Sequence, residues 1–141
     1  MFTTQCFIRK NTPELRKKLE ELGYEANSYE CFWDDENRYI ITTIGSNGFA
    51  FYTLCIKNCC ILENKEFIDC DDNEELFIAL AALRDDTDVN QWFVMDVEEY
   101  MNINQGDWFI ATDRTKGKHI GTQIDPMYCH KATIEEIIEH F

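Results

Sequence analysis

The chain has 141 residues, 45% of them apolar and 13% aromatic, with seven cysteines and a formal net charge of −14. That length suits one domain, residues 1–141, with a core of its own, and the apolar content excludes disorder of the whole chain. The acid excess argues against direct nucleic-acid binding, and no apolar run approaches the roughly 18 residues of a membrane span.

The first element expected is a strand over Thr3–Ile8. Asn11-Thr12-Pro13-Glu14 is a helix start: Thr12 can cap with proline at the first helical position, or Asn11 can cap with Glu14 three residues on. Leu15, Leu19 and Leu22 form an apolar stripe at helical spacing, and Gly23 is placed to stop the helix in a left-handed conformation. Tyr24–Trp33 reads as extended and aromatic. Arg38–Ile44 and Phe49–Lys57 flank Gly45-Ser46-Asn47-Gly48 as a hairpin. A further turn into Cys59–Leu62 would make residues 27–62 a β-meander.

Glu66–Cys70 is short and extended, and it leads to the stretch around which the chain is organised. From Leu76 to Leu83 every residue is apolar, rich in leucine and alanine, so the helix is apolar all round and expected to be enclosed. At about 12 residues it spans roughly 18 Å. Asp85-Asp86-Thr87-Asp88 ends it. Strands follow over Gln91–Met95 and Asp107–Thr112, with Val97–Asn104 showing no clear period and Lys118–Ile124 placed to pair back. In the last helix Thr133 and Glu136 make a capping box, and Ile134, Ile137, Ile138 and Phe141 make the apolar stripe. The expected fold class is α+β: a mainly antiparallel sheet with three helices, about 12–22, 72–85 and 132–140, the central one most buried. Cys6-Phe7, Phe67-Ile68 and Tyr128-Cys129 each precede a cap and a helix, three strand–cap–helix joins suited to docking helices on one sheet.

The acid is concentrated. Glu63–Glu99 carries 13 acids against Lys65 and Arg84, a net −11. Such a field attracts basic surfaces. Within it, Asp85, Asp86 and Asp88 beside Arg84 form the densest cluster. Carboxylates on a tight turn are the ligands that magnesium and calcium take. A helix–loop–helix calcium site needs glycine at its sixth position and glutamate at its twelfth. Counting from Asp86 gives Gln91 and Val97, and counting from Asp69 gives Glu74 and Leu80, so that site is not formed. The structural reading of these acids is a solvated helix end with Asp86 or Asp88 taking nearby backbone amides. Acids there oppose the helix dipole, which Arg84 offsets and which hints at a purpose besides stability.

The cysteines lie mostly within apolar runs and lack paired Cys-x2-Cys or Cys/His spacings, so reduced, buried thiols are expected and no metal or cofactor is assigned. His130 follows Cys129 directly, and on a strand the two point to opposite faces, so they do not form a nucleophile pair. Phosphate-loop, dinucleotide, serine-nucleophile and zinc-helix motifs are missing, and no catalytic residue is assigned.

Three segments together carry a resemblance: Lys10-Asn11-Thr12-Pro13-Glu14-Leu15 through Leu22-Gly23-Tyr24, Ala79-Leu80-Ala81-Ala82-Leu83-Arg84-Asp85-Asp86-Thr87-Asp88 through Gln91-Trp92-Phe93, and His130-Lys131-Ala132-Thr133 through Ile138-Glu139-His140-Phe141. Here the chain resembles short uncharacterised proteins of gut-bacterial (Bacteroides-type) phages and mobile elements. The resemblance implies a phage or prophage setting and brings no known activity.

Two functions are therefore expected. The first is a non-enzymatic acidic binding protein, cytoplasmic in the host bacterium, that engages a host protein with a basic surface as an inhibitor or nucleic-acid mimic. The second is a small-ligand or nucleotide-binding domain with weak enzymatic activity, its aromatic pocket drawn from Tyr29, Trp33, Trp92 and Trp108, with Arg84 or Lys131 holding an anion. The candidate binding residues are Arg84, Asp85, Asp86, Asp88, Gln91, Trp92, His130 and Lys131. The oligomeric state is not legible in the sequence.

Overall fold

A computed structural model of the chain describes residues 2–26, 38–45, 47–56, 66–100, 103–111 and 128–141. Residues 27–33 of the expected Tyr24–Trp33 segment, and the expected elements at Cys59–Leu62 and Lys118–Ile124, lie outside the described residues. The fold is α+β. It comprises two compact units, Met1–Leu83 with Phe141, and Arg84–His140.

The first unit holds strands β1 (Cys6–Ile8), β2 (Glu25–Ala26), β3 (Arg38–Ile44), β4 (Ala50–Ile56) and β5 (Ile68–Asp69), with helices α1 (Pro13–Glu21) and α2 (Glu74–Ala81). The strands form a mixed sheet in the order β2-β4-β3-β1-β5. β3 is antiparallel to β1 and β4, whereas β1–β5 and β2–β4 are parallel. The sheet expected from the sequence is mainly antiparallel; the two parallel pairs are not legible there, because α1 and three strands separate β1 from β5 and β3 separates β2 from β4, and local turn chemistry carries no sign of such pairings.

β1 lies inside the sheet and is buried at all three positions. Phe7 and Ile41 pack on one face with Tyr39 and Phe67. Cys6 and Ile8 point to the other, where the Cys6 thiol meets the Phe77 carbonyl of α2. Where the β1–β3 ladder stops, the Thr42 hydroxyl replaces it: it accepts the Cys6 N–H at 3.2 Å and donates to the Cys6 carbonyl at 3.2 Å. That satisfies a backbone group in a dry core.

Thr12 caps α1 by accepting the Leu15 N–H, with Pro13 at the first position, and Gly23 follows at φ +102°. Both follow from the sequence motif. Asn73 caps α2 by accepting the Leu76 N–H at 3.1 Å, and its amide donates to the Phe141 carbonyl at 2.6 Å. Leu76, Phe77, Ala79, Leu80 and Ala81 of α2 are buried. Lys10 and Lys18 both pair with Glu74 at the start of α2. Helix 72–85 of the sequence reading is shorter than expected, because the Arg84 N–H that would extend it is bonded at 2.8 Å to the Gln91 side chain.

The second unit contains β6 (Trp92–Met95), β7 (Glu99–Tyr100), β8 (Ile103–Asn104), β9 (Trp108–Ile110), β10 (Cys129–Lys131) and α3 (Ile134–His140). β10-β6-β9 is a three-stranded antiparallel sheet, and β7 and β8 pair as a ribbon. The ribbon falls in Val97–Asn104, where two strands of two residues are too short to show a period. Phe93, Met95, Ala111 and Cys129 form the core on one face. All three strand–cap–helix joins exist, but not on one sheet: β10, which leads into α3, belongs to the three-stranded sheet. Of the described cysteines, Cys6, Cys70 and Cys129 are buried free thiols. No described helix is long and apolar enough to cross a membrane.

Candidate functional site

All eight sequence-selected residues fall in the second unit. They divide into three groups. The first is the turn Arg84–Asp88, with Gln91 and Lys131. Gln91 is buried, and its Oε1 accepts the Arg84 N–H. Lys131 pairs across β10 with Phe93, so its stem leaves the sheet on the core face. Its ammonium then donates to the Arg84 carbonyl at 2.6 Å and the Thr87 carbonyl at 2.8 Å, with the Asp88 carboxylate 3.8 Å away. The Thr87 hydroxyl accepts the Val89 N–H at 3.1 Å. A long side chain that buries its stem and delivers its charge to converging carbonyls braces the turn from within.

The Arg84 guanidinium grips Asp86 through Nε and Nη2, each at 3.0 Å. That guanidinium holds the Asp86 carboxyl well below the usual carboxylate range. Asp85 is exposed and the Asp88 side chain is 62% exposed. Backbone-amide bonding is expected of Asp86 or Asp88; at this turn the Thr87 hydroxyl takes the Val89 N–H, and Asp88 faces the ammonium. The carbonyls of Arg84 and Thr87 both accept from the Lys131 ammonium. Among the described residues no group of three or more His, Cys, Asp or Glu side chains is arranged to hold a metal ion.

The second group is aromatic. Trp92 and Trp108 meet edge to face with centroids 6.2 Å apart, and His140 stacks on Trp108 at 4.1 Å. Tyr29 and Trp33, the other walls expected of an aromatic pocket, lie outside the described residues. Lys131, proposed from the sequence as an anion holder, already donates to two carbonyls.

His130 forms the third group. Its register partner is Val94, which places it on the opposite face from Cys129 and Lys131. The sequence argument against a Cys129–His130 pair therefore holds in the structure: Cys129 is in the core, and the imidazole is on the side of α3. There Nδ1 lies 2.7 Å from Asp96 and Nε2 lies 2.8 Å from Glu136. Glu136 also accepts the Thr133 N–H at 2.8 Å while the Glu136 N–H donates to Thr133 at 3.2 Å, the reciprocal capping box. The Glu136 hydrogen bond, assisted by Asp96, raises the His130 pKa above its ordinary value, and the Thr133 amide and His130 lower that of Glu136.

Sequence reasoning missed Asp96, read Thr87 only as part of the turn that ends the helix, and found Glu136 only as a cap. Asp96 is 34 residues from His130, a separation at which no local pattern reports a contact. Thr87 enters through its backbone carbonyl, which has no residue signature, and through its hydroxyl, which accepts the Val89 N–H. No protein-family model, curated protein or solved structure matches the chain.

Proposed function

We propose that this is a non-enzymatic acidic binding protein of phage or mobile-element origin that acts on a host protein with a basic surface, as an inhibitor or nucleic-acid mimic. The observation that carries this reading is the braced turn. Lys131, Gln91 and Thr87 hold its backbone by four hydrogen bonds, while Asp85, Asp86 and Asp88 stay exposed. A charged group held in one geometry before binding loses less entropy on association. Charge within the same unit adds steering: Asp96 and Glu98 are exposed as well. The host cytoplasm is the compartment this reading assigns.

The test is a pull-down from host lysate at low and high salt, with the parent and with Asp85, Asp86 and Asp88 all changed to Asn. A partner with a basic surface should be retained at low salt, be lost at high salt and bind the triple variant weakly. Retention of no partner at any ionic strength overturns the proposal.

The aromatic group supports a second reading, a small-ligand or nucleotide-binding domain with weak enzymatic activity, because Trp92 and Trp108 present ring surface of the kind such pockets use. A thermal-shift screen with nucleotides and cyclic dinucleotides separates the two; no stabilisation by any of them removes this one.

For the architecture, our reading is that the sheets are mainly antiparallel and that α2 is the most buried helix. Supporting it, antiparallel pairing joins β1–β3, β3–β4, β6–β9, β6–β10 and β7–β8. The buried residues of α1 are Leu15 and Leu19 and that of α3 is Ile137, against five in α2.

A further inference from the structure

The contacts of His130 demand a particular protonation state. A carboxylate only accepts hydrogen bonds, and a neutral imidazole donates from one nitrogen alone. His130 has a carboxylate oxygen at 2.7 Å from Nδ1 and another at 2.8 Å from Nε2. Both contacts are hydrogen bonds at the same time only if the ring is the doubly protonated imidazolium. When the ring loses a proton, one nitrogen lone pair faces a carboxylate at that distance, and attraction becomes repulsion. We propose that Asp96, His130 and Glu136 form a proton-operated clamp, which fastens the first turn of α3 to the β6–β10 end of the sheet and is released when one proton leaves.

The three members come from different elements. Asp96 follows the last residue of β6, His130 is the middle of β10, and Glu136 is in the first turn of α3. The neighbouring charged groups are otherwise engaged. Lys131 is on the opposite face with the Arg84 and Thr87 carbonyls, Asp107 before β9 accepts the Asn104 N–H, and His140 of α3 stacks on Trp108. Glu135 and Glu139 of α3 are exposed. The Glu136 oxygen that holds the Thr133 amide is not the one that faces His130, so the helix keeps its cap when the clamp opens.

The clamp side chains are 41%, 42% and 37% exposed for His130, Asp96 and Glu136, so the proton exchanges with bulk water directly. The sign follows from the raised His130 pKa. The clamp is fully closed below the ordinary histidine value of 6.5 and opens as pH rises through the raised midpoint.

Nitrogen-15 NMR of the full chain tests this. At about pH 5.5 both His130 ring nitrogens should carry protons, and the ring midpoint should lie above the ordinary histidine value. Asp96→Asn and Glu136→Gln should each lower that midpoint. Amide-exchange protection of Ile137, corrected for intrinsic rates, should fall several-fold across the parent's midpoint and show no such step in His130→Gln. A midpoint at or below the ordinary value overturns the proposal, as does a ring with one protonated nitrogen at about pH 5.5. Protection of α3 that ignores the titration in the parent overturns it too. The parent's ring titration decides the matter even if a variant does not fold.

Discussion

The Lys131 ammonium lies 2.6 Å from the carbonyl oxygen of Arg84, a residue 47 positions earlier in the chain. With a second bond to the Thr87 carbonyl, this one side chain closes the turn that carries Asp85, Asp86 and Asp88. Lys131→Met keeps the apolar stem and removes every donor. It should cost about 1.5–3 kcal/mol, the value of charge-assisted bonds whose acceptors are left behind, measured by urea unfolding. Lys131→Arg should restore little, because a planar guanidinium does not match two carbonyls converging on a point. A Met variant as stable as the parent would show that Gln91 and Thr87 hold the turn without Lys131.

The acids of the turn should separate by their partners. Asp85→Asn is expected to be neutral or stabilising, since an exposed carboxylate just past a helix C-terminus opposes the dipole by a few tenths of a kcal/mol. Asp88→Asn should be mildly destabilising, by up to about 1 kcal/mol, through loss of its attraction to Lys131. Melting temperatures of both variants, with and without magnesium or calcium, decide this. A metal-dependent rise in the parent that both variants lack would show that the turn takes up a cation after all.

Asp86 has its own pH signature. Its folded-state pKa is depressed by Arg84, so its contribution to stability is present above the ordinary aspartate range and is lost as pH falls toward the depressed value. Stability of Asp86→Asn should therefore depend less on pH than that of the parent on the acid side. Parallel acid limbs for the two proteins would mean that the Arg84 pair contributes nothing.

Leu80 is fully buried in α2. Leu80→Asp should prevent folding, since a lone charge in a dry core costs several kcal/mol. Leu80→Ala should fold and lose about 2–5 kcal/mol. A cooperatively melting, soluble Leu80→Asp protein would contradict the burial.

Asn73 joins two tasks, capping α2 and holding the Phe141 carbonyl. Asn73→Ala should cost about 1–2 kcal/mol, as at other helix N-caps. Asn73→Ser keeps a capping oxygen and loses the amide donor. The Ser variant should therefore lie between parent and Ala in chemical denaturation, and equality of Ser and Ala would mean that the cap contributes no stability.

Helices were legible in the sequence because their signals are local. Thr12 with Pro13, Gly23 and the Thr133–Glu136 box lie within a turn of the helix ends they define, and the Leu15–Leu19 spacing states which face is buried. The β3–β4 hairpin was legible for the same reason, since a short glycine turn sets the register between its neighbours. The sequence also determined that Cys129 and His130 part to opposite faces, from strand alternation alone. What it did not determine is everything that depends on a partner outside the local pattern. The parallel pairing of β1 with β5, the end of α2 at a Gln91 side chain, the Lys131 brace and the Asp96–His130–Glu136 group all join residues that no periodicity relates. Burial of apolar surface is non-directional and tolerates many arrangements, so it selects which segments are enclosed but not which polar groups meet. Those meetings are decided by the tertiary structure, where a buried or half-buried donor must find an acceptor within about 3 Å.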